Sequence, residues 1–194
     1  MILSVDPGVV NCGIALVDLT GRVVWADSWE LGEFHSATYT GMFERFCALL
    51  DVQFGHEAPR GWTCLIERQP LVENSRTSRL CQALEHCVWT YFRMQGALEV
   101  RFCSPADVRK RCRKLLGAAA PGGKGWYANK LLSEAAYHHT CGAAAPGDHN
   151  VADAVLQALL HLERNYLFTF SPTPRDEENK NVDGDPPREQ HDSE

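Results

Sequence analysis

The first seventeen residues constrain this chain's fold more than any other stretch. Residues 1–5 (Met-Ile-Leu-Ser-Val) form a short, apolar, β-prone run that stops on Asp6-Pro7-Gly8, and a second such run, Gly-Ile-Ala-Leu-Val at 13–17, follows within a few residues. A buried strand thereby delivers one carboxylate to its own end. Pro7 presets a turn φ and Gly8 accepts a positive one, so the chain can reverse tightly and leave Asp6 facing a cleft. Taken alone, the stretch has two readings of equal standing: Asp6 starts a hairpin turn, or it belongs to a metal or phosphate site.

The pattern after it predicts a mixed α/β domain. Residues 22–31 read as a third strand behind a hairpin closed by Gly21, so three antiparallel strands open the domain. Ser36 is the expected cap of a helix to about Phe54, with Met42, Phe43, Phe46, Leu49 and Leu50 on its apolar face. Residues 62–66 read as a strand buried on both faces that ends on Glu67. A long helix over 75–94, a strand over 98–103 and a basic helix over 106–116 follow, the last started by Ser104-Pro105. Two Gly/Ala/Pro loops then separate helices over 126–139 and 150–166. Three strands followed by strand-helix alternation suggest a mixed five-stranded sheet with helices on both faces, the order of the ribonuclease H-like fold.

Length and charge sharpen this. The chain has 194 residues, enough for one core, so residues 1–170 are expected to form a single domain and 171–194 a disordered acidic tail. Most of the net charge of −6 sits in that tail, with eight acidic residues against three basic. Within the nearly neutral body, 101–130 carries eight Lys and Arg against the single Asp107, the footprint of a polyanion partner or a solvated helix face. No run of about 18 apolar residues occurs, so no membrane span is expected; nor is a signal or transit peptide, with a site pattern beginning at residue 2. Eight scattered cysteines without a Cys-x-x-Cys pair read as reduced, mostly buried thiols in a cytoplasmic protein.

Three carboxylates stand out. Asp6 and Glu67 each end a buried strand, and Asp153 lies three residues after Asn150 at the start of the last helix, so both share a helical face. Carboxylates gathered in one pocket repel one another unless a cation is present, and hard oxygen donors favour Mg²⁺ or Mn²⁺. Two such ions about 4 Å apart suit phosphodiester hydrolysis. The bland alternative makes Glu67 a surface strand end, Asp148 a helix cap and Asp153 a solvated residue.

Ile2-Leu3-Ser4-Val5-Asp6-Pro7-Gly8, Asn11-Cys12-Gly13-Ile14-Ala15, Leu65-Ile66-Glu67-Arg68-Gln69-Pro70 and Val151-Ala152-Asp153-Ala154-Val155 together resemble the RuvC-type Holliday junction resolvases over residues 1–165. The block at 66–70, the residues at 74–79 and Trp89-Thr90-Tyr91-Phe92 are most similar to the poxvirus branch and its iridovirus and fungal mitochondrial relatives. The resemblance implies a metal-dependent endonuclease that nicks opposing strands of a four-way DNA junction symmetrically as a homodimer; for a viral chain the compartment is host cytoplasm. By position it carries metal binding to Asp6, Glu67 and Asp153. Asn150 stands where this family usually has Asp, and an amide is a poorer cation ligand. Asp148 substitutes for it, or Asn150 suffices as a neutral ligand, or the chain is an inactive form.

Arg68, Gln69, Asn74 and Arg76 leave the Glu67 strand end where junction backbone is expected, and Arg109, Lys110 and Lys130 lie in the basic stripe. Lys124, given reach by its glycine-rich loop, is the lysine expected to steady charge at the cut phosphate. The wide stripe of the 75–94 helix is read both as core and as the dimer contact. Three rival functions remain: an actin-like ATPase, for which the chain is too short; a junction-binding protein that does not cut; and a ribonuclease H-like hybrid nuclease.

Overall fold

A computed structural model describes residues 1–33, 36–55, 58–70, 75–142 and 149–166. Five strands, β1 (Ile2–Asp6), β2 (Cys12–Val17), β3 (Val23–Trp29), β4 (Thr63–Glu67) and β5 (Glu99–Cys103), form one sheet in the order β3-β2-β1-β4-β5. β1 pairs antiparallel with β2 and parallel with β4, and β5 extends the parallel half. This is the mixed five-stranded sheet expected from the sequence. Both central strands therefore end at the same edge, which places Asp6 beside Glu67.

Helices α1 (Tyr39–Phe54) and α2 (Arg76–Met94) cover one face. Leu3, Val5, Cys64 and Ile66 point into that layer, against Met42, Phe46, Leu50, Leu84, Val88 and Phe92. The cap of α1 is Thr38, whose Oγ1 accepts from the Gly41 amide at 3.2 Å; Ser36 instead turns back to the Glu33 carboxylate. The start expected at Ser36 moves two residues because a threonine hydroxyl at 38 meets the first free amides in register. Ser75 caps α2 in the same way, accepting from Ser78 at 3.1 Å.

Helices α3 (Pro105–Leu116), α4 (Trp126–Cys141) and α5 (His149–Tyr166) cover the opposite face. Alternation along each strand turns Ile2, Ala15, Val17 and Leu65 to this side, where Val108, Leu132, Ala136, Val155 and Leu159 meet them. α5 lies close to the sheet because the contact is built from small residues, Ala15 against Ala152 and Ala158. The approach is tightest at Gly13: a Cβ there would sit 2.1 Å from the Asn150 carbonyl oxygen. No described helix is long and apolar enough to cross a membrane.

Candidate functional site

Alternation that puts Ile2 and Leu65 on the α5 side also puts Ser4, Asp6 and Glu67 there. Gly8 makes the turn after Asp6 possible, since a Cβ at that position would lie 2.0 Å from the Asn11 carbonyl oxygen. Gly13, opposite Asp6 in the β1–β2 ladder, admits the first turn of α5. A cleft of about 520 Å³ opens at this edge, and Asp6, Glu67, Asn150 and Asp153 all line it. Asp6 is buried at this edge, and its carboxylate accepts from Gln69 Nε2 at 3.2 Å.

The electrostatics follow from this crowding. Burial first, then the charges of Asp6 and Asp153, push the Glu67 carboxyl well above its ordinary value, while Arg109 pulls the other way. Asp153 Oδ1 accepts from Ser133 Oγ on α4 at 2.5 Å. Asn150 donates from Nδ2 to the Asn11 carbonyl at 3.2 Å, tying α5 to the β1–β2 turn. An aspartate in that place would set a carboxylate oxygen against the carbonyl.

The remaining expected residues divide. Arg109 and Lys130 line the cleft, whereas Lys110 is exposed on α3 and Lys124 is exposed on the loop before α4, outside the lining. Arg68 turns to the opposite face, where its guanidinium lies 4.1 Å over the Phe102 ring and 3.7 Å from Glu85. Gln69 is bound into the protein: its amide N–H donates to Glu85 at 2.6 Å, its carbonyl accepts from Gln82, and its side chain reaches Asp6. Arg76 donates to the Ala37 carbonyl at 2.8 Å. Asn74, Asp148 and the tail 171–194 lie outside the described residues.

Two residues that sequence reasoning missed support the site. Glu85 is buried within α2 and holds the segment after Glu67; its signal was a charge in the apolar phase 81-84-85-88-92. Ser133, buried on α4, fixes Asp153 and has no comparable sequence signal.

The donors suit a hard divalent cation in kind: three carboxylates on one cleft, where burial and then the charges of Asp6 and Asp153 raise the proton affinity of Glu67. Among the described residues, however, no group of three or more His, Cys, Asp or Glu is close enough to form a ready-made cage. Gln69 and Ser133 occupy positions on two of the carboxylates that a cation would share.

No protein-family model matches the chain, and no curated protein sequence does either. Solved structures do. RuvC of Thermus thermophilus in complex with a Holliday junction substrate is similar with a TM-score of 0.61 at 17% identity, over 89% of this chain and 98% of that one. A second Thermus thermophilus RuvC structure is similar with a TM-score of 0.58 at 17% identity, over 89% and 99%. A fowlpox virus resolvase with junction DNA gives 0.44 at 16% identity over 84% and 99%, which adds nothing to the first two. The chain has the RuvC-like, ribonuclease H-like fold.

Proposed function

We propose that the chain is a divalent-metal-dependent endonuclease that resolves four-way DNA junctions by paired, symmetric nicks. The observation that carries this reading is Glu67, flanked by the charges of Asp6 and Asp153 in a cleft also lined by Arg109 and Lys130. The fold shared with RuvC supports it, as does that protein's solution with a junction substrate.

Asp6, Glu67 and Asp153 would hold Mg²⁺ or Mn²⁺, two ions in the full reading, with Asp148 as a further candidate ligand. Bound there, the metal supplies a more acidic water and neutralises charge on the phosphate. The chain's own part is positioning. Gln69 orients Asp6, Ser133 orients Asp153, and Arg109 with Lys130 draws the phosphate over the carboxylates. Lys130 takes the role that sequence reasoning assigned to Lys124, because its place on α4 brings it to the cleft. Symmetric nicking calls for a two-fold homodimer, and the outer side of α2, where Trp89 and Arg93 stand, is the proposed contact.

Asn150 supports a second reading, a junction-binding protein that does not cut, because its amide is engaged with Asn11. Incubation of the full chain with a synthetic four-way junction in Mg²⁺ or Mn²⁺ separates the two. Paired nicks at symmetric positions, with linear duplex cut far more slowly, are the expected result. A junction that is bound but uncut in both metals, with cutting restored by Asn150→Asp, replaces the enzyme with the binder. Duplex cut as fast as junction removes the structure selectivity.

A further inference from the structure

Beside the carboxylates, the cleft carries an aromatic group for which neither metal binding nor phosphate binding has a use. Trp126, the first residue of α4, lines the cleft and is 70% exposed. An indole is the largest apolar side chain, and leaving most of it in water at the rim of the cleft forgoes the gain of burying it. The ring is nevertheless held in place. Lys130, one turn along α4, sets its ammonium 3.5 Å from the ring centroid, and the His149 ring of α5 meets it edge-on at 6.0 Å and 76°. A ring positioned by two other residues and still open to solvent is a prepared surface.

We propose that Trp126 is a base-stacking platform: an unpaired base of the bound strand lies on the indole while Lys130 takes the adjoining phosphate. Every base has a π face, so the contact is tolerant of sequence and demands only that the base be out of its pair. Fully paired duplex keeps its bases stacked internally and gains nothing from the ring. Strands that open at a branch point present the required base, so the platform favours branched or single-stranded DNA over duplex. This rests on the nuclease reading for why DNA enters the cleft, and it adds a residue that chooses among DNA structures.

The two neighbours predict different salt behaviour. Lys130 works by displacing counterions from phosphate, so Lys130→Ala should flatten the plot of log affinity against log salt by about 0.7–0.9. Stacking displaces none, so Trp126→Ala should lower affinity and leave that slope unchanged.

The test is binding of full chain to a four-way junction, a single-stranded oligonucleotide and a linear duplex, in EDTA to prevent cutting, across a salt series. Trp126→Ala is expected to weaken junction and single strand about ten- to a hundredfold and duplex hardly at all. Trp126→Phe should retain most of the binding, and 2-aminopurine beside the branch point should lose its Trp126-dependent quenching in the alanine variant. Equal weakening on duplex and junction, or a flattened salt slope in Trp126→Ala, overturns the platform and leaves Trp126 as a prop for Lys130. Wild-type protein that binds junction no better than duplex overturns the junction reading instead, and the single-strand arm still decides the platform.

Discussion

The two faces of the sheet are built from opposite materials. Toward α1 and α2 the layer is aromatic and sulfur-rich. Trp25 meets Phe54 at 5.1 Å, Trp29 meets Phe46 at 5.8 Å, and Phe46 meets Phe92 at 6.1 Å. Among the described residues, the one fully buried charge there is Glu85. Toward α5 the contact mixes alanines with Val155 and Leu159, with buried Ser4, Gln157 and Ser133 among them, and Gln157 donates to Ser4 at 3.0 Å. Large rings bury much apolar area and stabilise; small and polar side chains bury less but let a helix bring its own residues to a strand end. One face is therefore the anchor, and the other brings Asp153 of α5 to the cleft that Asp6 and Glu67 line.

Substitutions that fall on one face should separate activity from stability. Asp6→Asn, Glu67→Gln or Asp153→Asn should reduce junction nicking by about a thousandfold or more. Without metal, Glu67→Gln should leave the protein at least as stable as wild type. The sign follows from the raised carboxyl: the folded state binds the extra proton, so wild type loses stability as pH rises above the ordinary value of 4.5, and the glutamine variant does not. Thermal melts from pH 4 to 8 in EDTA would check this. Phe46→Ala, on the opposite face and wholly buried, should cost about 3–5 kcal/mol, with nicking per folded molecule preserved.

Glu85→Ala tests whether the anchor face also reaches the site. Loss of the acceptor for the Gln69 amide should cost about 1–3 kcal/mol and lower nicking by about tenfold, since Gln69 also holds Asp6. Equal kcat in the variant would confine Glu85 to stability. The smallest effect belongs to His161, packed between α5 and β5. Burial first and then Arg101 lower its affinity for a proton, so the unfolded chain binds the proton more readily and stability falls as pH drops below 6.5. His161→Gln should melt with a shallower fall between pH 6.5 and 5.

The anchor face was the more legible of the two. Its helices have a clear 3.6-residue repeat, and the strands leading to Asp6 and Glu67 stop on their carboxylates in plain view. That β1 and β4 are neighbours rests on pairing over sixty residues apart, which no local pattern records. The last helix was placed correctly, yet Ser133 was invisible, because a serine among apolar residues carries no sign of what its hydroxyl will meet. Lysine placement depends on helical phase. Lys124 stands on the loop before α4, outside the cleft lining, whereas the phase of α4 sets Lys130 against the Trp126 ring and into the cleft. Arg68 and Gln69 show the reverse. Alternation along an extended segment sends consecutive residues to opposite sides: Arg68 lies over Phe102, while Gln69 lines the cleft with its side-chain amide on Asp6.

The missing side chain at Gly13 has a consequence in time. The sheet is complete at residue 103, with Asp6 and Glu67 already side by side. Asp153 arrives only when α5 settles into the hollow that Gly13 leaves. Until α5 emerges from the ribosome, a growing chain holds the residues of all five strands but lacks Asn150 and Asp153. The same closeness makes the arrangement all-or-none: a helix displaced by the width of a methyl group takes Asn150, Asp153 and the Ser133 contact with it.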